Sequence, residues 1–554
     1  KVMRGEMDIK ELEFKMPEDG RIFGTDYPRP SAVAKVTGTY DYGADTGVKM
    51  PKGVLQIALV QAKVSHANIL SIETEEAEKM PGVEAVLTYK DVKGTNRIDG
   101  LIFYPWHKGD GLDRPILCDE KIFQYGDAIA IVCADTKEHA EAAAEKVVVN
   151  VEELPAYLSA RESTAPDAIE IHPGTPNIFF EQNIIKGENP DPIFERDDVV
   201  VVEHDYYTQR QPHLVLEPDV AYAYYDEEGR VTIHSKSVGV YMHKSMIAGG
   251  IGLEEDQIRI IQNNAGATFG YKLSPTIEAI LAVAVMATGK PVYLEFTMHQ
   301  QITYTGKRSP VFGHIKMAAT KDGKMLAVRH NMLGDHGPYS EFGDLLMTKP
   351  IQFCTCGYDI PSFHGFGQMS FTNHAYGAAM RAFGAPQGHF IGESIVDEMA
   401  AALGMDAFEF RYKNLYNENS TTTTGNKPDV LVLQGLMDLV KPYYDEAKKR
   451  QAEFDTSNGV KHGVGLSLSI YCCGDDGLDT SSAAVELMPD GKVTCFSTWE
   501  DHGQGSDMGA LATVQEGLKE LHLRPEDIIL VSNDTTKCPN SGNAAGSRSQ
   551  VMGG

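Results

Sequence analysis

Gly266-Ala267-Thr268-Phe269-Gly270-Tyr271-Lys272 stands directly before Ser274-Pro275 and the apolar run Ala279 to Ala287. That run predicts a helix over 274–287, with Ser274 as cap, Pro275 in the first turn and Gly289 as stop. A glycine-rich turn at a helix start lets backbone approach a ligand closely, and its free N–H groups favour an anion. Three more turns of this kind lie further along the chain: Met380-Arg381-Ala382-Phe383-Gly384-Ala385-Pro386-Gln387, Glu500-Asp501-His502-Gly503-Gln504-Gly505, and Asn540 to Gln550, which contains Gly546-Ser547-Arg548. Singly, each reads as an ordinary connection into a helix. Arg381 alone reads as an ion-pair partner, His502 as a hydrogen-bonded turn residue and Arg548 as a first-turn surface residue. Together the four turns point to a large polyanion gripped from several elements, and an extended cofactor containing pyrophosphate fits that description. An arginine in such a turn can fork onto phosphate or oxo groups.

The rest of the chain bounds the answer. The sequence has 554 residues, 42% hydrophobic and 23% charged, enough for two to four packed domains. Lys and Arg total 50 against 78 Asp and Glu, a net charge of −28. So acidic a chain repels phosphate backbones and anionic lipid, which argues against nucleic-acid and membrane partners. The Ala279–Ala287 run is too short to span a bilayer, and Lys1-Val2-Met3-Arg4 is no signal peptide. The 8 cysteines match neither a zinc knuckle nor an iron–sulfur spacing and read as reduced thiols of a cytoplasmic protein. No Walker loop, complete GxGxxG or HExxH occurs.

Strand and helix patterns divide the chain into a linker (1–30), a small α/β domain (31–155), a connector rich in Pro, Asp and Glu (156–198), a first large domain (199–430) and a second that begins at 431 and runs to 554. Strands are expected at 54–60, 83–88, 128–133, 147–151, 463–471 and 493–498. Helices are expected from the Thr136 cap to about 146, over 388–403, over 434–453 with a kink or break at Pro442, and over 508–521. Ser549 to Gly554 would open another helix, so the last unit reads as incomplete, either truncated or split between subunits.

Beyond these patterns, the sequence resembles the molybdenum-cofactor portion of the xanthine dehydrogenase and aldehyde oxidase family, most of all the aldehyde oxidoreductases of sulfate-reducing bacteria. The segments that carry the resemblance include Asp19 to Gly24, Lys35 to Thr39, Gln61 to Ala67, Arg210-Gln211-Pro212-His213 with Glu217-Pro218-Asp219, Tyr304 to Pro310, Asp335 to Leu345 and Trp499 to Gly505. It implies a multidomain α+β and α/β fold, with a hammerhead-like small α/β domain followed by large molybdenum-cofactor-binding domains, the last of them incomplete. The implied cofactor is a molybdopterin, as cytosine dinucleotide, whose dithiolene holds the molybdenum so that no protein side chain is a metal ligand. Two-iron two-sulfur clusters would lie on domains or a partner chain outside this sequence. The remaining C-terminal part of the molybdopterin domain would also be a partner, within a homodimer of the full enzyme.

By motif position, Thr268, Phe269 and Gly270 would bind the cofactor, Phe269 and Gly270 against the metal's oxo group. Arg381 and His502 would stand beside metal and pterin as the catalytic residues, and Gln504, Gly546, Ser547, Arg548 and Gln550 would hold the cofactor. Leu273, Phe342, Leu345, Phe383 and Asp475 would line the substrate funnel; close relatives carry Phe and Tyr in place of Leu273 and Phe383, and an apolar residue at Asp475. The charge at Asp475 either alters substrate preference or simply faces solvent. Ala267, Ala382 and Ala545 stand where the wider family often has glycine, a change that is tolerated at negative φ and costly at positive φ. The implied reaction is hydroxylation of an aldehyde to a carboxylic acid with water as oxygen source, electrons passing to iron–sulfur clusters. The family's glutamate base lies downstream of Gly554. Two alternatives remain. One is hydroxylation of a purine-like or nicotinate-like heterocycle, disfavoured because His234-Ser235-Lys236-Ser237-Val238 lacks the Gln of the purine enzymes. The other is a degenerate, non-catalytic subunit.

Overall fold

The computed structural model describes residues 14–48, 53–355, 357–474 and 479–554. Asp475 therefore lies outside the described residues.

The strand Ala128–Ala134 is buried along its whole length. Its unbroken apolar sequence suits a strand covered on both faces. It pairs antiparallel with Leu55–Gln61 and Val83–Thr88, inside a seven-stranded sheet. Leu55–Gln61 in turn pairs parallel with Val292–Glu295, and beyond it lie Val220–Tyr225, Val231–Ser235 and Ile258–Gln262. The small α/β region and the first large region thus share one sheet. The helix Glu278–Thr288 packs on it, burying Ala279 through Val285. Each large apolar side chain buried there contributes about 2 kcal/mol. Gly289 closes this helix in the left-handed conformation, φ +66°.

A five-stranded sheet forms the other large core, in the order Val199–Thr208, Val311–Thr320, Met325–Asp335, Ser362–Ser370, Ile178–Lys186. The helices Gly343–Phe353 and Ala385–Leu403 cover it and fill the largest apolar cluster. They approach so closely that a methyl group on Gly392 would meet the Cys354 carbonyl oxygen at 1.4 Å. Among the described residues, no helix is long and apolar enough to cross a membrane.

A smaller sheet of Ala484–Leu487, Val493–Ser497 and Ile528–Ser532 carries the helix Ser506–Gly517. This unit docks on the edge strand Ile258–Gln262. The Gln262 N–H donates to Asn533 O at 2.9 Å, and Thr535 N–H to Ile260 O at 3.1 Å. Arg259 grips Asp534 through two bonds of 3.0 and 2.5 Å. The docking brings the 500–505 turn to the 266–270 turn.

Several elements differ from the sequence expectation. The stretch read as a connector contains the strand Ile178–Lys186, an edge strand whose register on Ser362–Ser370 is set by residues far along the chain. The 463–471 stretch joins no sheet, and Leu468 N–H instead donates to the Glu393 carboxylate at 3.0 Å. Ser274 does not cap a helix: its hydroxyl donates to the buried Glu341 carboxylate, and the helix begins at Glu278. Leu433–Glu453 is one helix of 21 residues that runs through Pro442.

Candidate functional site

Three of the four glycine-rich turns meet at one place. The Arg381 N–H donates to Phe269 O at 2.9 Å, which joins the second turn to the first. Gly270, at φ +113°, lies so near the second turn that a Cβ would stand 2.8 Å from Ala379 O. Thr268, fully buried, shares a hydrogen bond of 2.6 Å with His502 Nδ1, which joins the third turn. The second turn is braced from behind. His213 Nε2 bonds Ala379 O at 2.9 Å, and Arg308 Nη2 donates to Arg381 O at 3.0 Å.

Backbone strain concentrates here. Ala267 (φ +80°), Phe269 (+54°), Phe342 (+59°), Ala382 (+69°), Phe383 (+39°) and Ser547 (+54°) all take the left-handed region. Each such non-glycine residue costs about 1–3 kcal/mol and persists only where its surroundings over-determine it. Of Ala267, Ala382 and Ala545, the first two therefore sit at positive φ and Ala545 does not.

Arg381 is exposed, and among the described residues its guanidinium has no hydrogen bond or ion pair. Burial, reinforced by the Arg381 charge, holds His502 below the usual imidazole range, against the opposing pull of Asp501. Gln504 folds back on its own turn: its Nε2 donates to Glu500 O at 2.9 Å and to Ser506 Oγ at 2.6 Å, and its Oε1 accepts from the His502 N–H.

The fourth turn lies against the first domain through Ala544 N–H to Val238 O at 2.8 Å. Arg548 is buried. Its guanidinium donates to Asp479 at 2.5 Å, to Ser541 O at 2.8 Å and to Thr480 O at 2.5 Å. Its donors thus bind the turn itself together. Gly546 O accepts from Gly474 N–H at 2.8 Å, Ser547 is exposed, and Gln550 Nε2 reaches Thr513 Oγ1 at 2.8 Å.

Leu273, Phe342 and Phe383 belong to one apolar cluster, where the Phe342 and Phe383 rings meet edge to face with centroids 5.9 Å apart. Leu345 is buried on the same helix turn as Phe342. Leu101 and Phe103, from the small α/β region, join the cluster although no motif points to them. Leu101 O accepts the Phe342 N–H at 3.0 Å, and the Asp344 carboxylate accepts the Phe103 N–H at 2.6 Å. Their only sequence signal is an aromatic cluster, Phe103-Tyr104-Pro105-Trp106, between short strands. The sequence places Glu500 in the third turn but gives it no role. It is fully buried, one oxygen accepts the Val240 N–H at 3.2 Å, the other has no hydrogen-bond partner among the described residues, and burial pushes it up to about 8.

Comparison with known proteins gives this geometry a context. Residues 171–415 and 439–554 match the molybdopterin cofactor-binding domain, and residues 37–155 match the aldehyde oxidase and xanthine dehydrogenase a/b hammerhead domain. The chain is 55% identical over 553 residues to an aldehyde oxidoreductase of Megalodesulfovibrio gigas, covering 100% of this chain and 61% of that protein. It is 31% identical to the nicotinate dehydrogenase large molybdopterin subunit of Eubacterium barkeri, covering 79% of this chain and 98% of that one. The crystal structure of the aldehyde oxidoreductase from Desulfovibrio desulfuricans superposes with a TM-score of 0.98 at 55% identity, over 100% of this chain and 61% of that one. The chain thus spans 61% of the length of the two aldehyde oxidoreductases. It belongs to the xanthine dehydrogenase and aldehyde oxidase family, as a hammerhead domain followed by molybdopterin cofactor-binding domains.

Proposed function

We propose that this chain is the cofactor cradle of a molybdenum hydroxylase that converts an aldehyde to a carboxylic acid. The observation that carries the reading is the convergence of three glycine-rich turns, two of them holding left-handed non-glycine residues, beside Arg381, an exposed guanidinium with no hydrogen bond or ion pair among the described residues. An anionic group completes such a site. The residues present fit a molybdopterin cytosine dinucleotide. Phe269 offers its backbone N–H, Gly270 one that makes only a long 3.5 Å bond to Thr268 Oγ1, and Arg381 and His502 flank them. The Gly546 to Gln550 turn offers further backbone for the pyrophosphate, with Arg548 holding that turn in shape from within.

The bound cofactor supplies a two-electron oxidation that places a water-derived oxygen on the substrate carbon. The chain's own residues do the rest. Phe342, Phe383, Leu273 and Leu345 form an apolar approach that favours an uncharged aldehyde and excludes water. His502, kept neutral by burial and anchored by Thr268, holds a hydrogen bond near the reacting centre without adding a charge. Arg381 fixes the cofactor's anionic end. Electrons leave through two-iron two-sulfur clusters on an associated domain or subunit, and the working enzyme is a cytoplasmic homodimer.

A heterocycle is the second reading, and the nicotinate dehydrogenase relative favours it. Turnover by the native complex with a dye acceptor separates the two: acetaldehyde and benzaldehyde should be oxidised well, nicotinate and xanthine poorly. The reverse order would overturn the aldehyde assignment.

A further inference from the structure

Glu217 grips both polar groups of a single residue in the first turn. The Gly266 N–H donates to Glu217 Oε2 at 2.6 Å, and the Glu217 N–H donates to Gly266 O at 3.3 Å. The other carboxylate oxygen accepts the Ala44 N–H at 3.1 Å. Behind it lies Lys236, fully buried, with Nζ 3.5 Å from Glu217 Oε2 and hydrogen bonds to Glu217 O at 2.5 Å and Pro218 O at 3.3 Å. The same ammonium stands 5.7 Å from the centre of the Tyr271 ring, at the far end of the turn. Gly266 admits no side chain, because a Cβ would stand 2.4 Å from that of Glu217.

The strained residues come directly after Gly266: Ala267 at φ +80°, Phe269 at +54° and Gly270 at +113°. Left-handed L-residues revert unless neighbouring bonds forbid it. Thr268 and Arg381 restrain the turn's middle and end. Glu217 restrains its entry, where the chain must be aimed before Ala267 reverses it.

We propose that Glu217, backed by Lys236, is the positioning residue of the Gly266–Gly270 turn, holding the strained geometry that presents the Phe269 and Gly270 N–H groups to the cofactor. This rests on the cradle reading above. Glu217 touches no reacting atom and acts wholly through the turn. The neutral Glu217→Gln side chain cannot accept both N–H groups and removes one of the two carboxylates that face the buried Lys236, leaving Asp219.

The test is the rate at which the holoenzyme releases its pterin, followed by the fluorescence of the oxidised product, beside the thermal unfolding midpoint. Glu217→Gln should speed release about tenfold. Adding Ala267→Gly, which lets the left-handed residue form without a methyl clash, should slow release again by several-fold while raising the unfolding midpoint of the Glu217→Gln protein no more than it raises that of the wild type. A purely structural defect at Lys236 would move both readouts together. If Glu217→Gln fails to fold, Glu217→Gln with Lys236→Met removes both charges and carries the same comparison. Wild-type release from Glu217→Gln, or no rescue by Ala267→Gly, overturns the inference. Wild-type protein that holds no pterin overturns it together with the functional reading.

Discussion

Thr268 Oγ1 and His502 Nδ1 lie 2.6 Å apart across 234 residues of chain, and this hydrogen bond ties the first molybdopterin domain to the second where the turns meet. Thr268→Val keeps the shape and deletes the partner. It should lower stability by about 1–2 kcal/mol, because the half-buried imidazole loses its bond. Turnover should fall about 10–100-fold, the usual effect of losing a group that orients a residue at a metal centre. Denaturant unfolding and steady-state kinetics check the two parts.

Ala267 and Ala382 hold left-handed φ of +80° and +69°. Ala267→Gly and Ala382→Gly should each raise stability by about 0.5–1 kcal/mol, against the usual loss when glycine replaces alanine. Gly270→Ala should do the opposite, by at least about 1 kcal/mol, since its φ is +113° and the added methyl would meet Ala379 O at 2.8 Å. Urea unfolding midpoints of the three variants test the set.

Glu500 gives a pH prediction. Burial raises it from 4.5 to about 8, against the pull of the Val240 and Ala544 N–H groups and the Arg548 charge. A carboxyl raised in the folded state keeps its proton after the unfolded chain has lost its own. The stability it contributes is therefore complete below about 4.5 and is lost as pH rises through about 8. Relative to Glu500→Gln, which cannot titrate, the wild-type unfolding midpoint should fall over that window. Parallel midpoints from pH 5 to 9 would contradict a raised Glu500.

Phe342 and Phe383 meet edge to face at 5.9 Å in the proposed substrate approach. Phe342→Ala should raise KM for benzaldehyde about tenfold and change KM for acetaldehyde far less, since only the aromatic ring fills that contact. Equal effects on both substrates would place Phe342 outside the approach.

Much of the fold is legible from local pattern. Ala128–Ala134 is an apolar run, Thr136 accepts the His139 N–H as its cap position predicts, and Gly404 ends the helix Ala385–Leu403. Local signals fail where distant partners decide. Ile178–Lys186 becomes a strand because Ser362–Ser370 offers it an edge, and Ser274 turns to Glu341 instead of capping. The site obeys the same rule. Its turns announce themselves through glycine and small residues, and Arg381 and His502 lie within them. Glu217, Lys236 and Glu500 lie inside segments the sequence singles out, and Phe103 does not, but nothing local gives any of them a role, since each gains it through neighbours up to hundreds of residues away.

The central claim is that this chain cradles a molybdopterin cytosine dinucleotide. The most direct measurement is elemental molybdenum, together with CMP released by acid hydrolysis, in the protein purified with its native partners. About one molybdenum and one CMP per chain is the result expected. Protein that is folded and carries neither would contradict it.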